Sequence, residues 1–214
     1  GVNALHLEAS AWFEKEGLVE EALYHAFEAG DTVAAGQIIV RQRKEFIDSE
    51  QWHSLERWFE RLPSQVVDSD PELLLIRVWL LENRHRIREI EVTLEKAEAL
   101  LTRVPGEKHA DRIRGEIHAA RSGQRYEAGD GGAAIWHAME AMRLLPMDCP
   151  SERGYATLLL AAGQQMAGNL VRARGLIIDG LAGGEASNRH LQGRMLTALC
   201  FIDWMAADLH SLKS

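Results

Sequence analysis

Apolar residues recur three and four positions apart along almost the whole chain, the spacing that lays one stripe along a helix. Leu5, Ala9, Trp12 and Phe13 form the first stripe, and Gly17 closes it by supplying a residue that tolerates positive φ. Leu18, Ala22, Leu23, Ala26 and Phe27 form the second, closed by Gly30. Asp31-Thr32 caps a third helix reaching about Asp48. Ser49-Glu50 opens a fourth, with Trp52, Leu55, Trp58, Phe59 and Leu62 inward, and Pro63 stops it. Asp70-Pro71-Glu72 combines a cap, a proline at the first helical position and a first-turn acid, and so starts another. From there the pattern predicts helices over about 87–103, 109–126, 132–145, 151–167, 170–181 and 188–209. No segment reads as a strand. The expectation is about eleven helices joined by short turns.

Composition agrees. The 214 residues include 55 Leu or Ala against 27 Val, Ile and Thr, and straight-chain residues lose less rotamer freedom in a helix than β-branched ones. At 46% apolar and 26% charged the chain has the makings of a core, which excludes wholesale disorder. No apolar run approaches the ~20 residues of a membrane span, and no basic-then-apolar leader opens the sequence, so a soluble, cytoplasmic protein is expected. Cys149 and Cys200 have no metal-binding spacing and read as reduced, buried small hydrophobes.

Charge limits the partners. The formal net charge is −8, and residues 1–104 carry 20 acids and 12 bases while the rest is balanced. Of the 24 bases 19 are Arg, scattered among acids, whereas phosphate backbones need clustered cations. Direct nucleic-acid binding is not expected.

Helices alternating with short turns invite a search for repeats. Ala134, Ala138, Ala141 and Pro146 match the small, apolar and proline positions in the second helix of a tetratricopeptide repeat. Ala173, Ile177 and Gly180 repeat them about 40 residues later, and Thr93, Ala97, Leu100 and Pro105 precede them by about as much. The predicted fold is therefore a right-handed superhelical array of helical hairpins, tetratricopeptide-like, stacked because no hairpin buries its own apolar faces. In that register the first helices present three columns to a concave face. They are Ile76, Glu116, Tyr155, Arg194; Trp79, Ala119, Leu158, Thr197; and Arg86, Tyr126, Gln165, Trp204. Tyr126, Tyr155, Gln165, Arg194 and Trp204 are the candidate ligand-binding residues, because rings, an amide and a guanidinium on one face suit a small polar ligand. Trp12, Trp52, Trp58 and Trp79 are expected in the core, while Trp136 and Trp204 are open to either core or groove.

Catalytic and metal chemistry find little purchase. Gly129-Asp130-Gly131-Gly132 opens a helix without a preceding strand or a following Lys-Ser/Thr, and reads as a turn rather than a phosphate cradle. The nine histidines contain no pair at i, i+4; His85, His109, His118 and His137 are spread along the chain and read as surface or helix-end groups, not ligands. Ser10, Ser54 and Ser122 sit in helices, none in a nucleophile elbow. No enzyme, metal or cofactor is expected from this chain.

The first hundred residues carry a more specific signal. Leu5-His6-x-x-Ala9-Ser10-x-Trp12-Phe13-x-x-x-Gly17-Leu18-x-Glu20-Glu21-Ala22-x-x-His25-Ala26-x-x-Ala29-Gly30-Asp31 resembles the large ATP-binding LuxR-type, or MalT-like, transcription regulators. Leu55-Glu56-x-Trp58, Leu62-Pro63, Pro71-x-Leu73-x-Leu75 and Trp79 extend it; past about residue 105 it fades into generic helical repeats. The resemblance implies a region at 1–70 that follows the winged-helix part of an ATPase module, and a helical-repeat sensor at 71–214. It implies a regulator in which an ATPase, this sensor and a helix-turn-helix are joined, with ATP held by the amino-terminal module. No G-x-x-x-x-G-K-[ST] loop occurs here, so no nucleotide-binding residue transfers and the chain reads as an excised fragment. Two functions are carried forward: a sensor taking a small-molecule inducer or regulatory protein on its concave face, and a protein–protein scaffold with no small-molecule ligand.

Overall fold

The computed structural model describes residues 1–48, 52–184 and 189–211, and every regular element among them is helical. The α-helices are α1 Val2–Lys15, α2 Val19–Glu28, α3 Thr32–Asp48, α4 Trp52–Phe59, α5 Ser64–Val67, α6 Pro71–Asn83, α7 Ile87–Ala99, α8 Glu107–Glu127, α9 Gly131–Leu144, α10 Pro150–Met166, α11 Leu170–Ala182 and α12 Arg189–Ser211. A 3₁₀ turn, Leu101–Arg103, takes the end of the segment expected to finish α7. The short α5 falls where a loop was expected; Pro63 supplies its N-cap. The predicted cap Ser49-Glu50 lies outside the described residues.

The chain divides into two compact units, Gly1–Leu100 and Leu101–Ser214. That division follows packing, whereas the boundary near residue 70 follows the resemblance.

In the first unit, α6 is the buried element. Leu73, Leu74, Leu75, Ile76, Val78, Leu80 and Leu81 are all buried, because a helix apolar on every side must be covered on every side. Helices α3, α5 and α7 supply that cover. Asp70 caps α6 by accepting the amide hydrogens of Glu72 and Leu73, and the helix starts on Pro71 as its sequence demands. Asp68 accepts from Lys96 of α7 at 3.0 Å and Arg77 of α6 at 2.9 Å; these cations, Lys96 above all, hold its carboxyl below the usual carboxylate range.

In the second unit each helix packs on the next, and α10 also packs on α8 and α12. The contacts are made by small residues. Ala119, Ala138, Ala141 and Ala156 share one cluster with Leu145, Leu159 and Leu160; Ala161 and Ala173 share another with Leu158, Ile177, Leu191, Met195 and Ile202. Of the positions matched to a repeat in the sequence, Ala134, Ala138, Ala141, Ala173, Ile177 and Gly180 are buried here, as are Thr93 and Ala97 on α7 of the first unit. A Cβ on Gly163 would lie 2.9 Å from Ile135 Cγ1 and 3.3 Å from the Ile135 nitrogen, so α9 and α10 meet there backbone to backbone.

Five junctions among the described residues share one turn. Gly17, Gly30, Gly129 and Gly168 have φ of 75°, 77°, 79° and 80° between α1 and α2, α2 and α3, α8 and α9, and α10 and α11. The residue after each returns its N–H five positions back, Leu18 to Phe13, Asp31 to Ala26, Asp130 to Arg125 and Asn169 to Gln164. This closes the helix end by the glycine-centred motif in which only a residue without Cβ sits unstrained. Between α6 and α7 the position is held by His85, φ 54°, with Arg86 bonding back to Leu81 in the same way. His85→Gly is therefore expected to raise stability, by less than about 1 kcal/mol once glycine's unfolded-state entropy is set against relieved strain. Gly129→Ala should lower it by about 1 kcal/mol. Urea unfolding midpoints check both; a His85→Gly variant that loses stability contradicts the strain argument.

Several expectations are corrected. Trp12 is 55% exposed and Leu5 67%, because α1 turns its Ser10 side to α2 and leaves Val2, Leu5 and Trp12 outward. Trp58 is buried as expected, but Trp52 and Trp79 are only half-buried. Cys149 is half-buried and Cys200 exposed, both as free thiols rather than core residues. Burial, then the nearby Glu152 and Asp148, push the Cys149 thiol up. Among the described residues no helix is long and apolar enough to cross a membrane.

Candidate functional site

The first helices of the second unit, α8, α10 and α12, are the elements that bear the candidate residues. Tyr155, one turn into α10, is half-buried against the alanine cluster of α8 and α9. Its hydroxyl reaches α8 at Gly123, where a Cβ would stand 3.8 Å away, so the glycine makes room for it. Arg194 of α12 lays its guanidinium carbon 5.3 Å from the centre of the Tyr155 ring. A cation there is attracted by the negative face of the ring while its N–H edge can still meet solvent. Arg194 itself is exposed.

Gln165, near the end of α10, directs its amide nitrogen to the sulfur of Met205 on α12 at 3.1 Å. Trp204, beside that methionine in sequence, is 60% exposed and packs against Phe201, their ring centres 5.7 Å apart. Tyr126 is half-buried in the last turn of α8. Tyr155 and Arg194 are thus brought together, and Gln165 is tied to α12 one residue from Trp204. Thr197 is exposed, its hydroxyl returned to the Gly193 carbonyl. Other groove positions are corrected: Ile76 is 1% exposed, Ala119 4% and Leu158 7%, so these belong to the cores and line no open face. Glu116 is held by Arg112 of its own helix.

Sequence reasoning missed the histidines. His118 and His137, read as surface groups on separate helices, place their Nδ1 atoms 2.9 Å apart across the α8–α9 hairpin. His6 and His25 do the same across α1–α2 at 2.7 Å. Ser10 Oγ donates to the Ala22 carbonyl at 2.8 Å, and Ser122 Oγ to the Ala134 carbonyl at 2.8 Å. The signal was present: His6, Ser10, Gly17, Ala22 and His25 recur, with the same spacing among themselves, as His118, Ser122, Gly129, Ala134 and His137.

A cleft in the first unit, about 280 Å³, runs between the α1–α2 turn and the end of α3, walled by Leu18, Glu20, Glu21, Gln42, Glu45 and Phe46. Among the described residues no group of three or more His, Cys, Asp or Glu side chains is placed to hold a metal ion.

Comparison with known proteins finds similarity to HTH-type transcriptional regulators. The chain is similar to the HTH-type transcriptional regulator MalT of Yersinia pestis (strain Pestoides F), 29% identical over 170 residues that make up 78% of this chain and 18% of that protein. The MalT regulators of Yersinia pseudotuberculosis (strain YPIII) and Yersinia enterocolitica (strain NCTC 13174 / 8081) align with the same identity and coverage. The chain spans less than a fifth of the length of these relatives. No family model matches it, and no solved structure matches it.

Proposed function

We propose that this chain is part of the sensor of a MalT-like transcription regulator, a non-enzymatic, cytoplasmic array of tetratricopeptide-like hairpins with a right-handed twist. An inducer or regulatory protein binds the face built by α8, α10 and α12 and so controls ATPase and DNA-binding parts carried elsewhere in the full-length protein. The observation that carries this reading is the alignment with HTH-type MalT regulators over 78% of the chain. Tyr155 and Arg194 add a place for a small polar ligand: a flat ring beneath a guanidinium that offers a planar fork to a carboxylate or phosphate. A ligand there acts only through its difference in affinity between resting and active arrangements of the hairpins.

The scaffold reading has its own support in α12, where Leu196, Phe201 and Trp204 are 47%, 51% and 60% exposed. Exposed aromatic and aliphatic side chains on one helix suit an amphipathic helix of a partner. A thermal-shift screen of small metabolites separates the two. Saturable stabilisation by one of them supports the inducer; at a hundred times its Kd it amounts to about 2.7 kcal/mol. A flat screen, with a helical peptide bound through α12 instead, selects the scaffold and sinks the inducer reading.

A further inference from the structure

Helix α12 is covered on one side only. Leu191, Met195 and Ile202 turn inward, to Leu158 and Ala161 of α10 and to Ala173 and Ile177 of α11. Gly193, Leu196, Thr197, Cys200, Phe201 and Trp204 recur at helical spacing on the opposite side, and all six are exposed. Its counterparts keep this side closed. Gly115, Gly154 and Gly193 stand 39 residues apart on α8, α10 and α12, and so do Ser122, Ala161 and Cys200. Gly115, Ser122, Gly154 and Ala161 are buried. On α8 the cover is the antiparallel α9: a Cβ on Gly115 would lie 2.8 Å from Leu145 Cγ, and Ser122 Oγ donates to the Ala134 carbonyl. On α12 a Cβ at Gly193 would meet nothing within 4 Å, and Cys200 is an exposed free thiol. The face suits an antiparallel helix that brings a large side chain to the glycine.

Helix α12 fits that description itself. Its first half carries Arg189 and Arg194 and no acid; its second half carries Asp203 and Asp208 and no Lys or Arg. Asp203 is engaged by Arg174 and still half-exposed. Two copies running the same way would set like charges together, whereas an antiparallel pair sets each basic half beside an acidic one. Let the two-fold axis pass level with the gap between Ala198 and Leu199. Thr197 then stands level with Cys200 of the second copy, Leu196 with its Phe201 and Gly193 with its Trp204. Trp204 is 60% exposed and rests against Phe201, so the open space at each glycine meets a ring already held in place.

We propose that two copies of the chain associate through α12, antiparallel about a two-fold axis, with Trp204 of each seated on Gly193 of the other. This goes beyond the sensor reading and does not rest on it, since a metabolite stabilises the chain whether or not it pairs. A single helix-on-helix contact lies at the small end of specific interfaces, so a dissociation constant of about 1–100 μM is expected.

Sedimentation equilibrium of the 214-residue chain between about 1 and 200 μM tests the pairing. A monomer–dimer equilibrium is expected, weakened at least about tenfold by Trp204→Ala and as much by Gly193→Leu. Gly193→Leu keeps the test independent of folding. The new side chain has open space in the single chain and replaces a poor helix former by a good one, so thermal stability should hold or rise while pairing is lost. Close to the axis, the two Cys200 Cα atoms stand roughly 6–7 Å apart. In a Cys149→Ser background a short bismaleimide should therefore join two chains through Cys200. A chain that stays monomeric throughout overturns the proposal, as does a dimer that neither substitution weakens or that Cys200 fails to cross-link. A monomer whose α12 takes a helical peptide instead assigns the face to another protein and overturns it equally.

Discussion

Enlarging Ala134 to leucine is expected to lower folding stability by about 1–3 kcal/mol, the cost of forcing extra methylenes into a filled crossing. Ala134 has no exposed surface, and its Cβ stands 3.6 Å from where a Cβ on Gly163 would be. Its carbonyl is already engaged by the Ser122 hydroxyl of α8. A leucine there has α10 on one side and α8 on the other, so relief requires a helix to move. Ala173→Leu should cost a similar amount, since Ala173 is equally enclosed by the cluster of Leu158, Ala161 and Ile177. Ala207→Leu on the exposed side of α12 should change stability by less than about 0.5 kcal/mol. Urea unfolding gives all three; midpoints unmoved by the first two substitutions would mean that the hairpins do not cross where the alanines lie.

Removing the guanidinium of Arg194 should separate binding from folding. The side chain is exposed and its contact with Tyr155 is a surface cation–π pair, so Arg194→Ala should cost about 0.5–1 kcal/mol of stability at most. An anionic inducer held by that fork should lose ~1.5–3 kcal/mol of binding, roughly 10- to 150-fold in affinity. Arg194→Lys should recover only part of the loss, because an ammonium keeps the charge but gives up the planar fork and the stack. Titration calorimetry with the hit from the metabolite screen reads the affinities. An Arg194→Ala variant that binds as tightly as the parent removes the residue from the site.

Helix positions were legible because their punctuation is local. Gly17, Gly129, Gly168 and Asp70-Pro71 act on their own neighbours, and all mark helix boundaries in the structure. Burial was less legible, since a stripe says that a helix has an apolar side but not that a neighbour covers it. Trp12 and Leu5 show the difference on α1, and Cys200 shows it on α12. Of the candidate residues, the repeat register carried enough to set Arg194 against Tyr155, which depends only on helix order and period. It could not tell Leu158 from Tyr155 as core against surface, because both depend on how α10 is rolled about its axis. The histidine pairs escaped a search at helical spacing for a simple reason. Their partners stand on antiparallel helices, on either side of a turn, where separation along the chain says nothing of distance in space.

The serine clip and the left-handed glycine lie wholly inside one hairpin, and this bears on how such a chain can lengthen. A hairpin that carries its own turn, its own cross-helix bond and its own histidine pair sets its internal geometry by itself, and leaves to its neighbours only the covering of its apolar faces. It can be copied whole, and the recurrence of His6, Ser10, Gly17, Ala22 and His25 as His118, Ser122, Gly129, Ala134 and His137 has the form of such a copy. Helix lengths can then drift between copies while each joint stays as it was: α1 has 14 residues and its counterpart α8 has 21, yet both end on the same turn. Growth by transposition of finished parts would leave selection to act on the faces that each hairpin turns outward, while the joint inside it is inherited as it stands.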